Sequence, residues 1–376
     1  MLFCRGWMIK KIPFFDYPSI YKDNRENLLK IFDEICSKGA FILQNDLENF
    51  ELRLANYTGS KFAIGVGNAT DALQLLLKAY GVKENDEIIF CSHTMIATAS
   101  AIKFAGAIPI PIEAGEDHLI DHTKIEEKIT KNTVGIMPTQ LNGRVAKMDE
   151  IELIADKYNL AIFEDSAQAL GAKYKNKFAG TFGVGGCISF YPAKILGCLG
   201  DGGAVLCNDE SIYKKILLLR DHGRDEEGNI DVWGYNSRLD NIQAGFLNFY
   251  MDSYEATINR RREIAKIYDE RLCDVNFLTL PPAPNDSNHF DVFQNYEIQA
   301  KDRDELKRYL SENGVGTLIQ WGGKAVHHFK ELGFDEDLPI TDLIFSKLLM
   351  LPINLSISND EVEYICDLII KFYKNK

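Results

Sequence analysis

No apolar run in the sequence is long enough to cross a lipid bilayer. The first residues, MLFCRGWMIKK, also lack the apolar centre and the cleavage site of a secretory signal. We therefore expect a cytoplasmic protein without a membrane partner. Met8 offers a second plausible start, which leaves open whether residues 1–7 belong to the native chain.

Closely spaced metal-binding cysteines are lacking as well. The eight cysteines are scattered, and none has the CxxC or Cys/His spacing typical of zinc sites. Several lie in apolar, strand-like runs, where a reduced and buried thiol is the ordinary expectation. The sequence therefore predicts a reducing compartment and no bound metal.

The sequence contains fewer basic than acidic residues. Lys and Arg number 42 against 55 Asp and Glu, which gives a formal net charge of −13. A nucleic-acid partner is disfavoured because phosphate binding depends on a basic face, although a small anionic ligand can still bind at a helix N-terminus. The 376 residues, 46% of them apolar and 26% charged, are typical of a soluble globular protein with one large or two domains.

Short apolar runs alternate with amphipathic segments over the first 250 residues. The alternation favours a largely parallel sheet covered by helices on both faces. The amphipathic segments include Ala72–Ala79, Ala97–Ala105 and Asp149–Tyr158. The predicted strands are Phe62–Val66, Glu87–Cys91, Ile108–Ile112, Gly135–Pro138, Leu160–Glu164, Gly186–Phe190 and Ala204–Cys207.

The pattern changes near residue 250, and we divide the chain into a large domain, 1–250, and a smaller C-terminal α/β domain, 251–376. Residues 281–292 have the composition of a loop. The predicted helices of the second domain are Ala256–Arg271, Asp302–Asn313 and Asn359–Tyr373, and its predicted strands are Phe293–Ala300 and Gly316–Ile319.

The segment GVGNATD, residues 65–71, lies between a predicted strand and a predicted helix. A turn of small residues at a helix N-terminus exposes backbone N–H groups, and Thr70 adds a hydroxyl, so the segment predicts a phosphate-binding turn. Two alternatives stay open. One is a simple helix cap at Asn68 or Thr70, and the other is an incomplete dinucleotide fingerprint with Asp86 or Glu87 as the ribose-binding acid.

Two strand ends carry groups suited to a Schiff-base cofactor. Asp165 follows an apolar strand, where ligands bind in open α/β sheets, and Gln168 is three residues further on. Lys194 follows another strand, shortly after Ser189, and precedes a glycine-rich run. A partly desolvated lysine can attack a carbonyl, and a carboxylate can keep a ring nitrogen protonated. The alternatives are a capping role for Asp165 and ordinary surface charge for Lys194.

Two further polar clusters lie outside the predicted strands. Residues 234–243 place Asn236 before the predicted helix Ala244–Tyr250, where a helix cap is the alternative role. The segment from Trp321 to His328 combines an aromatic ring, glycines, a lysine and two histidines. Because adjacent histidines point apart on a helix, this cluster is not predicted to bind a metal.

Together these residues resemble the DegT/DnrJ/EryC1/StrS family of pyridoxal-phosphate-dependent nucleotide-sugar aminotransferases. The resemblance runs from about residue 12 to the C-terminus and rests on GNATDAL, FEDSAQALGA, SFYPAKxLGxxGDGGA, RDHGR and GYNSRLDNIQA, in that order. It implies the aspartate-aminotransferase-like fold type I, in which a large domain contains a mostly parallel seven-stranded sheet and a smaller α/β domain follows.

The resemblance also implies a role for each candidate residue. Lys194 would form the covalent imine with pyridoxal 5′-phosphate and move protons, and Asp165 would pair with the pyridinium nitrogen. Gln168 would bind the cofactor's 3-hydroxyl. The protein would be a homodimer with shared active sites, and the cofactor phosphate would be held by Ala69, Thr70, Ser189 and the partner subunit's Asn236.

One position departs from the family pattern. Met95 stands where an aromatic residue commonly stacks on the pyridine ring. Methionine can still cover a ring through its polarisable sulfur, but it stacks less firmly. Lys194 argues against the deoxygenating dehydratase branch, whose members carry histidine at that position.

The segment TLIQWGGKAVHHFKELGF resembles the branch that acts on dTDP-4-keto-6-deoxyglucose and aminates C-4. The expected reaction moves the amino group of L-glutamate, with 2-oxoglutarate as the other product, to a dTDP-linked keto-6-deoxyhexose for surface glycan synthesis. Amination at C-3 or at both positions and a UDP-linked substrate stay open, as do two other classes, a nicotinamide-dependent oxidoreductase and a non-catalytic regulator. The candidate substrate contacts are Gln320, Trp321, Lys324 and His327.

Overall fold

The computed structural model describes residues 11–284 and 287–374. The strands are β1 Phe62–Val66, β2 Glu87–Cys91, β3 Ile108–Ile112, β4 Thr133–Met137, β5 Ala161–Asp165, β6 Lys173–Tyr174, β7 Lys177–Phe178, β8 Gly185–Ser189, β9 Gly203–Cys207, β10 Leu278–Thr279, β11 His289–Phe290, β12 Tyr296–Ala300 and β13 Leu348–Leu351. The α-helices are α1 Tyr17–Lys38, α2 Asn45–Thr58, α3 Ala69–Tyr80, α4 Ile96–Ala105, α5 Met148–Tyr158, α6 Glu210–Arg220, α7 Asn241–Met251, α8 Tyr254–Leu272, α9 Arg303–Glu312, α10 Pro339–Lys347 and α11 Asn359–Lys374. Within these described ranges, no helix combines the length and apolar character that a membrane span needs.

Seven strands form the central sheet, in the order β1-β9-β8-β5-β4-β2-β3. Neighbouring strands are parallel except at β9, which runs antiparallel to both β1 and β8. The predicted seven-stranded, mostly parallel sheet is confirmed, and each observed strand end lies within two residues of the predicted one.

Helices cover both faces of this sheet, and a separate apolar core lies under each face. Along β2, Ile88 joins the core that contains Leu76 of α3 and Ile102 of α4. Its neighbour Ile89 joins the core that contains Phe50 of α2. Because both faces are buried, the strands are nearly continuous apolar runs, which explains why they could be located from the sequence.

A third core lies in the C-terminal part of the chain, where α8, α9 and α11 pack on the antiparallel sheet β10-β12-β13. Tyr268, Ile298 and Leu349 are buried in it. Ile12 joins the same core and forms a bridge with Val315, so the first described residues pack on the C-terminal part. The proposed domain division between residues 250 and 251 falls in the last turn of α7.

Two strand predictions in this C-terminal part were wrong. Gly316–Ile319 is not a strand, since within it only Leu318 forms an isolated bridge, to Met350. Strand β12 begins at Tyr296 rather than at Phe293, because Phe293 has a φ of 50° that interrupts the extended backbone. The sequence analysis also missed β13, since a four-residue apolar run after a helix has no distinguishing period.

The carboxyl ends of β1, β5 and β8 lie along one edge of the central sheet. Val66 ends β1 and pairs with Gly203, the first residue of the antiparallel β9, and Gly203 in turn pairs with Ser189. Asp165 ends β5 and pairs with Cys187 of β8. The topology therefore brings the candidate residues that follow these strand ends to one side of the molecule.

Candidate active site

The turn between β1 and α3 presents backbone donors at a helix N-terminus. Asn68 caps α3 by accepting the Asp71 N–H at 2.9 Å. Ala69 and Thr70 form the first positions of the helix, where N–H groups have no intrahelical acceptor. These two N–H groups and the Thr70 hydroxyl are donors at the positive end of the helix, which suits a phosphate. The cap at Asn68 and a phosphate site are therefore compatible.

Gly203 allows β9 to approach this turn closely. A Cβ on Gly203 would lie 2.5 Å from the Asn68 carbonyl carbon and 2.7 Å from the Ala69 nitrogen, so a larger residue does not fit. Ser189 pairs with Gly203, and its Oγ accepts the Tyr191 N–H at 3.3 Å. The Ser189 hydroxyl hydrogen is left to donate beside the turn.

Asp165 is a buried carboxylate, 5% exposed, at the end of β5. The Thr98 hydroxyl donates to its Oδ2 at 2.6 Å, and the Ala167 N–H donates to its Oδ1 at 3.2 Å. The Cys187 thiol lies 3.5 Å from Oδ1, and burial, reinforced by the Asp165 charge, raises the pKa of that thiol well above its ordinary value. The thiol therefore stays protonated, and all three donors orient the carboxylate.

Lys194 lies half-buried in the turn after β8, where its N–H donates to the Tyr191 carbonyl at 2.8 Å. Burial lowers the pKa of Lys194 to about 8, and the charge of Asp165 partly opposes this effect. Lys194 lines a crevice together with residues of the N-terminal and C-terminal parts, among them Tyr17 and Asn354. An amine with this pKa is partly unprotonated near neutral pH, as a nucleophile or a proton carrier must be.

The side chain of Gln168 is fixed through its oxygen. Its Oε1 accepts the Asn142 N–H at 3.0 Å and the Asn295 Nδ2 at 3.2 Å. Asn142 lies in a turn after β4, and Asn295 lies just before β12. Loops from both parts of the chain therefore meet at Gln168.

Met95 and Asn236 are exposed residues near this edge. Met95, 52% exposed, precedes α4, the helix that carries Thr98 to Asp165. Asn236 is followed by the buried Ser237, whose Oγ accepts the Gly67 N–H at 3.0 Å and donates to Asp71 Oδ2 at 2.6 Å. The segment with Asn236 therefore packs on the phosphate-binding turn of its own chain.

The four candidate substrate residues differ in their surroundings. Gln320 is buried, and its Nε2 is 3.4 Å from the Asn142 Oδ1. Trp321 is half-buried and packs edge-on to the His93 ring at a centroid distance of 5.7 Å. Lys324 is exposed. The aromatic ring and the cation are therefore the more accessible of the four.

His327 does not have the free ring nitrogen that a substrate contact needs. It is 2% exposed, with Nδ1 at 2.8 Å from the Ser92 hydroxyl and Nε2 at 3.0 Å from Asp342 Oδ1. His328 Nε2 also contacts Asp342 Oδ1, at 2.5 Å. The expectation that the two histidines point apart was wrong, because they lie in a short 3₁₀ turn rather than an α-helix and converge on one carboxylate.

A second cluster of potential ligands lies near Trp321. His93, His118 and Glu297 bring their ring nitrogens and a carboxylate oxygen within 4.8 Å of one another. His118 Nδ1 contacts Glu297 Oε1 directly at 2.7 Å, and His93 Nδ1 is held by the His118 carbonyl at 2.9 Å. This cluster, invisible in the sequence spacing, forms a hydrogen-bonded link between β12 and the loops after β2 and β3.

A profile of the DegT/DnrJ/EryC1/StrS aminotransferase family matches residues 22–370. The dTDP-3-amino-3,6-dideoxy-alpha-D-galactopyranose transaminase of Aneurinibacillus thermoaerophilus is 36% identical over 366 residues, which cover 96% of this chain and 99% of that protein. A pleiotropic regulatory protein of Geobacillus stearothermophilus is 34% identical over 97% of this chain and 99% of its own length. The chain belongs to the DegT/DnrJ/EryC1/StrS aminotransferase family.

The crystal structure of DesV from S. venezuelae in complex with a ketimine intermediate agrees with this assignment. It superimposes with a TM-score of 0.93 and 32% identity, over 97% of this chain and 99% of DesV. Family aminotransferases use pyridoxal 5′-phosphate, and this protein is a nucleotide-sugar aminotransferase with that cofactor and fold type I. The nicotinamide-dependent alternative is excluded.

The residues present fit pyridoxal phosphate. The turn at Thr70 offers neutral donors for a phosphate, and Gly203 lets β9 pack closely against it. Asp165 offers a buried carboxylate for a ring nitrogen, and Lys194 offers an amine in the same electrostatic environment. Gln168 offers a carboxamide for the ring oxygen.

The sequence analysis missed the residues that hold these groups. Thr98 donates to Asp165, and it is itself linked to Thr94 by a 2.7 Å hydroxyl contact that Thr139 extends at 3.1 Å. The spacing of Thr94 and Thr98, one helical turn apart in SHTMIAT, was a visible signal. The contacts of Gln294 and Asn295 carried no local signal, because their partners lie about 100 residues or more away.

Proposed function

We propose that this protein transfers the amino group of L-glutamate to C-4 of a dTDP-linked 4-keto-6-deoxyhexose, and that the amino sugar serves surface glycan synthesis in the cytoplasm. The observation that carries the proposal is the electrostatic interaction of Lys194, whose pKa burial lowers to about 8, with the buried carboxylate of Asp165. The assignment to C-4 is supported by the resemblance of TLIQWGGKAVHHFKELGF to the C-4 branch.

Pyridoxal phosphate supplies an aldehyde that condenses with amines and a ring that accepts electrons. The N–H groups of Ala69 and Thr70 and the hydroxyls of Thr70 and Ser189 would hold its phosphate. Asp165 would hold a proton at the ring nitrogen, and the hydrogen bond from Thr98 keeps the carboxylate in place. A carboxylate fixed in this way would favour the electron-accepting form of the ring.

Lys194 moves the proton in both half-reactions. It would carry the α-proton of glutamate to C4′ of the cofactor in the first half-reaction, and a proton from C4′ to the sugar carbon in the second. Because its pKa of about 8 is close to the working pH, the amine both accepts and gives up a proton readily. Half-burial of the side chain keeps bulk water from competing for that proton.

Trp321 and Lys324 are proposed to contact the nucleotide-linked sugar. The indole offers an apolar face to a base or a hexose, and the exposed ammonium offers a charge to the diphosphate. Gln320 and His327 are proposed to support Trp321 and Lys324 from within the protein, because their polar groups point inward. Asn236 is proposed to complete the phosphate site of the partner subunit in a homodimer.

A second candidate is amination of a 3-keto sugar. It is favoured by relatives whose names specify 3-amino sugars, including the Aneurinibacillus enzyme and transaminases of Streptomyces venezuelae and Micromonospora megalomicea. Relatives named for UDP- and GDP-linked sugars make the nucleotide a separate question. Exposed Met95 stacks less firmly than an aromatic residue, so either keto position is compatible with the space above the ring.

The test is incubation of the holoenzyme with glutamate and either dTDP-4-keto-6-deoxyglucose or its 3-keto isomer. Mass spectrometry detects the amino sugar, and NMR locates the amine. We expect an amine at C-4 from the first substrate. An amine formed only at C-3 of the second substrate would replace the first candidate by the second. No product from either, with UDP- and GDP-linked sugars also inert, would contradict the proposed reaction.

A further inference from the structure

Gln294 and Asn295 are consecutive residues of the C-terminal part. They form hydrogen bonds at Lys194 and at Gln168, the two residues to which cofactor contacts are assigned above. We propose that these residues, called here the Gln294–Asn295 bracket, are positioning residues that set Lys194 and Gln168 together. The inference rests on the cofactor roles given above for Lys194 and Gln168. It adds that their geometry is fixed from outside the central sheet.

Gln294 holds the backbone on both sides of Lys194. Its Oε1 accepts the Ile195 N–H at 3.0 Å, and its Nε2 donates to the Ala193 carbonyl at 2.8 Å. One carboxamide therefore satisfies one donor and one acceptor that flank the lysine. A glutamate of the same length cannot reproduce this pair when ionised, because it accepts hydrogen bonds but does not donate them.

Asn295 fixes the orientation of Gln168. Its Nδ2 donates to Gln168 Oε1 at 3.2 Å and to Asn142 Oδ1 at 2.8 Å. The Asn142 N–H donates to the same Gln168 oxygen at 3.0 Å. A backbone N–H can only donate, so the Gln168 atom that faces it must be the oxygen.

The orientation has a chemical consequence at the cofactor. With its oxygen occupied by two donors, Gln168 can offer only its Nε2 to the ring oxygen. A donor in that position favours the negatively charged form of the oxygen over its protonated form. The bracket therefore leaves Gln168 only a donor role toward the ring oxygen. Stabilisation of the charged oxygen lowers the pH at which the cofactor-loaded site loses its proton.

The bracket itself is held rigidly. Buried Arg261 donates from Nε to the Phe293 carbonyl at 2.8 Å and from Nη2 to the Gln294 carbonyl at 2.6 Å. Gly143 lies against it with a φ of +90°, and a Cβ there would be 2.6 Å from the Gln294 nitrogen. The backbone of Phe293 takes a φ of 50° at the same place. Such a constrained segment suits a positioning role, because a fixed backbone limits where the side chains of Gln294 and Asn295 can lie.

The first experiment is a pH titration of the visible absorption band of the cofactor-loaded protein. In Asn295→Asp the carboxylate no longer donates to Gln168 and attracts its Nε2 away from the ring oxygen. We expect the titration midpoint to rise by about one pH unit. Gln299→Glu, the same change of group on β12 with a contact to His118 instead, should leave the midpoint unchanged.

A double variant separates positioning from general destabilisation. Gln168→Ala should raise the midpoint by itself, and adding Asn295→Asp to it should cause a smaller further rise than in wild type, because only the direct effect of the new charge is left. An unchanged midpoint in Asn295→Asp, or an equal extra rise in the Gln168→Ala background, would overturn the inference for Asn295.

The second experiment measures how fast the absorption band forms when pyridoxal phosphate is added to the apo-protein. Gln294→Glu should slow this rate about tenfold, because Lys194 is no longer held in its reactive position. A rate equal to that of wild type and of Gln299→Glu would overturn the inference for Gln294. Neither experiment uses a sugar. A wild-type protein that forms the band but aminates no sugar would therefore refute the proposed reaction, whereas the two experiments would still test the bracket.

Discussion

The candidate cofactor site and the segment 320–328 place their polar residues in different ways. In the candidate cofactor site, Asp165 and Ser189 end strands of the central sheet. Thr70 and Lys194 lie within a few residues of such ends. The hydrogen-bond ladder of the sheet fixes these positions before any side chain is considered, so a polar residue there faces the ligand edge.

The segment 320–328 contains no strand of a sheet that would fix its backbone. It consists of two 3₁₀ turns, and three successive residues, Trp321, Gly322 and Gly323, have positive φ. Gln320 and His327 turn into the protein, whereas Lys324 turns outward. The sequence therefore predicts the location of a polar side chain well where a sheet sets its direction, and poorly where irregular backbone sets it.

The largest expected effect lies in the candidate cofactor site. Lys194→Ala removes both the proton carrier and the covalent anchor. We expect turnover to fall by more than the roughly 10²–10⁴-fold that a single proton-transfer group contributes, together with loss of the borohydride-sensitive visible band. Turnover of glutamate and the absorption spectrum measure the two losses.

Lys128→Ala, a change at an exposed lysine after β3, is the control for the lost charge. It should keep both turnover and spectrum. A Lys194→Ala protein that retained catalysis within tenfold of wild type would remove the functional difference between the two regions.

The comparison also explains how far the sequence could be interpreted. The seven strands of the central sheet were predictable because both of their faces are buried, and Asp165 and Lys194 became candidates because they follow predicted strands. The start of β12 was not predictable, because the left-handed φ of Phe293 depends on Arg261 and Gly143, which are distant in sequence.

The same limit applies to the supporting residues. Gln168 was identified, but its donor orientation depends on Asn142 and Asn295, which approach from separate loops. His327 was taken for a substrate contact because the sequence cannot reveal that Ser92 and Asp342 occupy its ring nitrogens. Long-range hydrogen bonds, rather than residue types, decide these roles.

A smaller effect separates two residues within the segment 320–328. Lys324→Ala should raise KM for the sugar nucleotide about tenfold through loss of a charge-assisted contact, and it should leave the glutamate half-reaction unchanged. His327→Ala should instead lower Tm with little change in KM, because Ser92 and Asp342 lose a buried partner. Steady-state kinetics and thermal unfolding distinguish the two. The reverse pattern would restore His327 as a substrate contact and make Lys324 a structural residue.

The last effect concerns stability rather than catalysis and lies at Glu164, which precedes Asp165 on β5 and points to the other face of the sheet. Glu164 is fully buried, and burial raises its pKa to about 7 although Phe182 N–H and Gln140 Nε2 donate to it at 2.6 Å. Between about pH 4.5 and pH 7 the unfolded chain has lost a proton that the folded protein keeps, so this carboxyl lowers stability as pH rises through that window.

Glu164→Gln removes this titration. The stability of the variant relative to wild type should therefore increase from about pH 4.5 to pH 7 and then level off, with a total change on the order of 3 kcal/mol in the free energy of unfolding. Denaturant unfolding across this range measures the difference, and Glu84→Gln, at an exposed surface turn, should run parallel to wild type. A constant difference between Glu164→Gln and wild type would mean that Glu164 is already ionised in the fold. The hydrogen bonds from the Phe182 N–H and from Gln140 Nε2 would then be sufficient to hold a charge in the apolar interior.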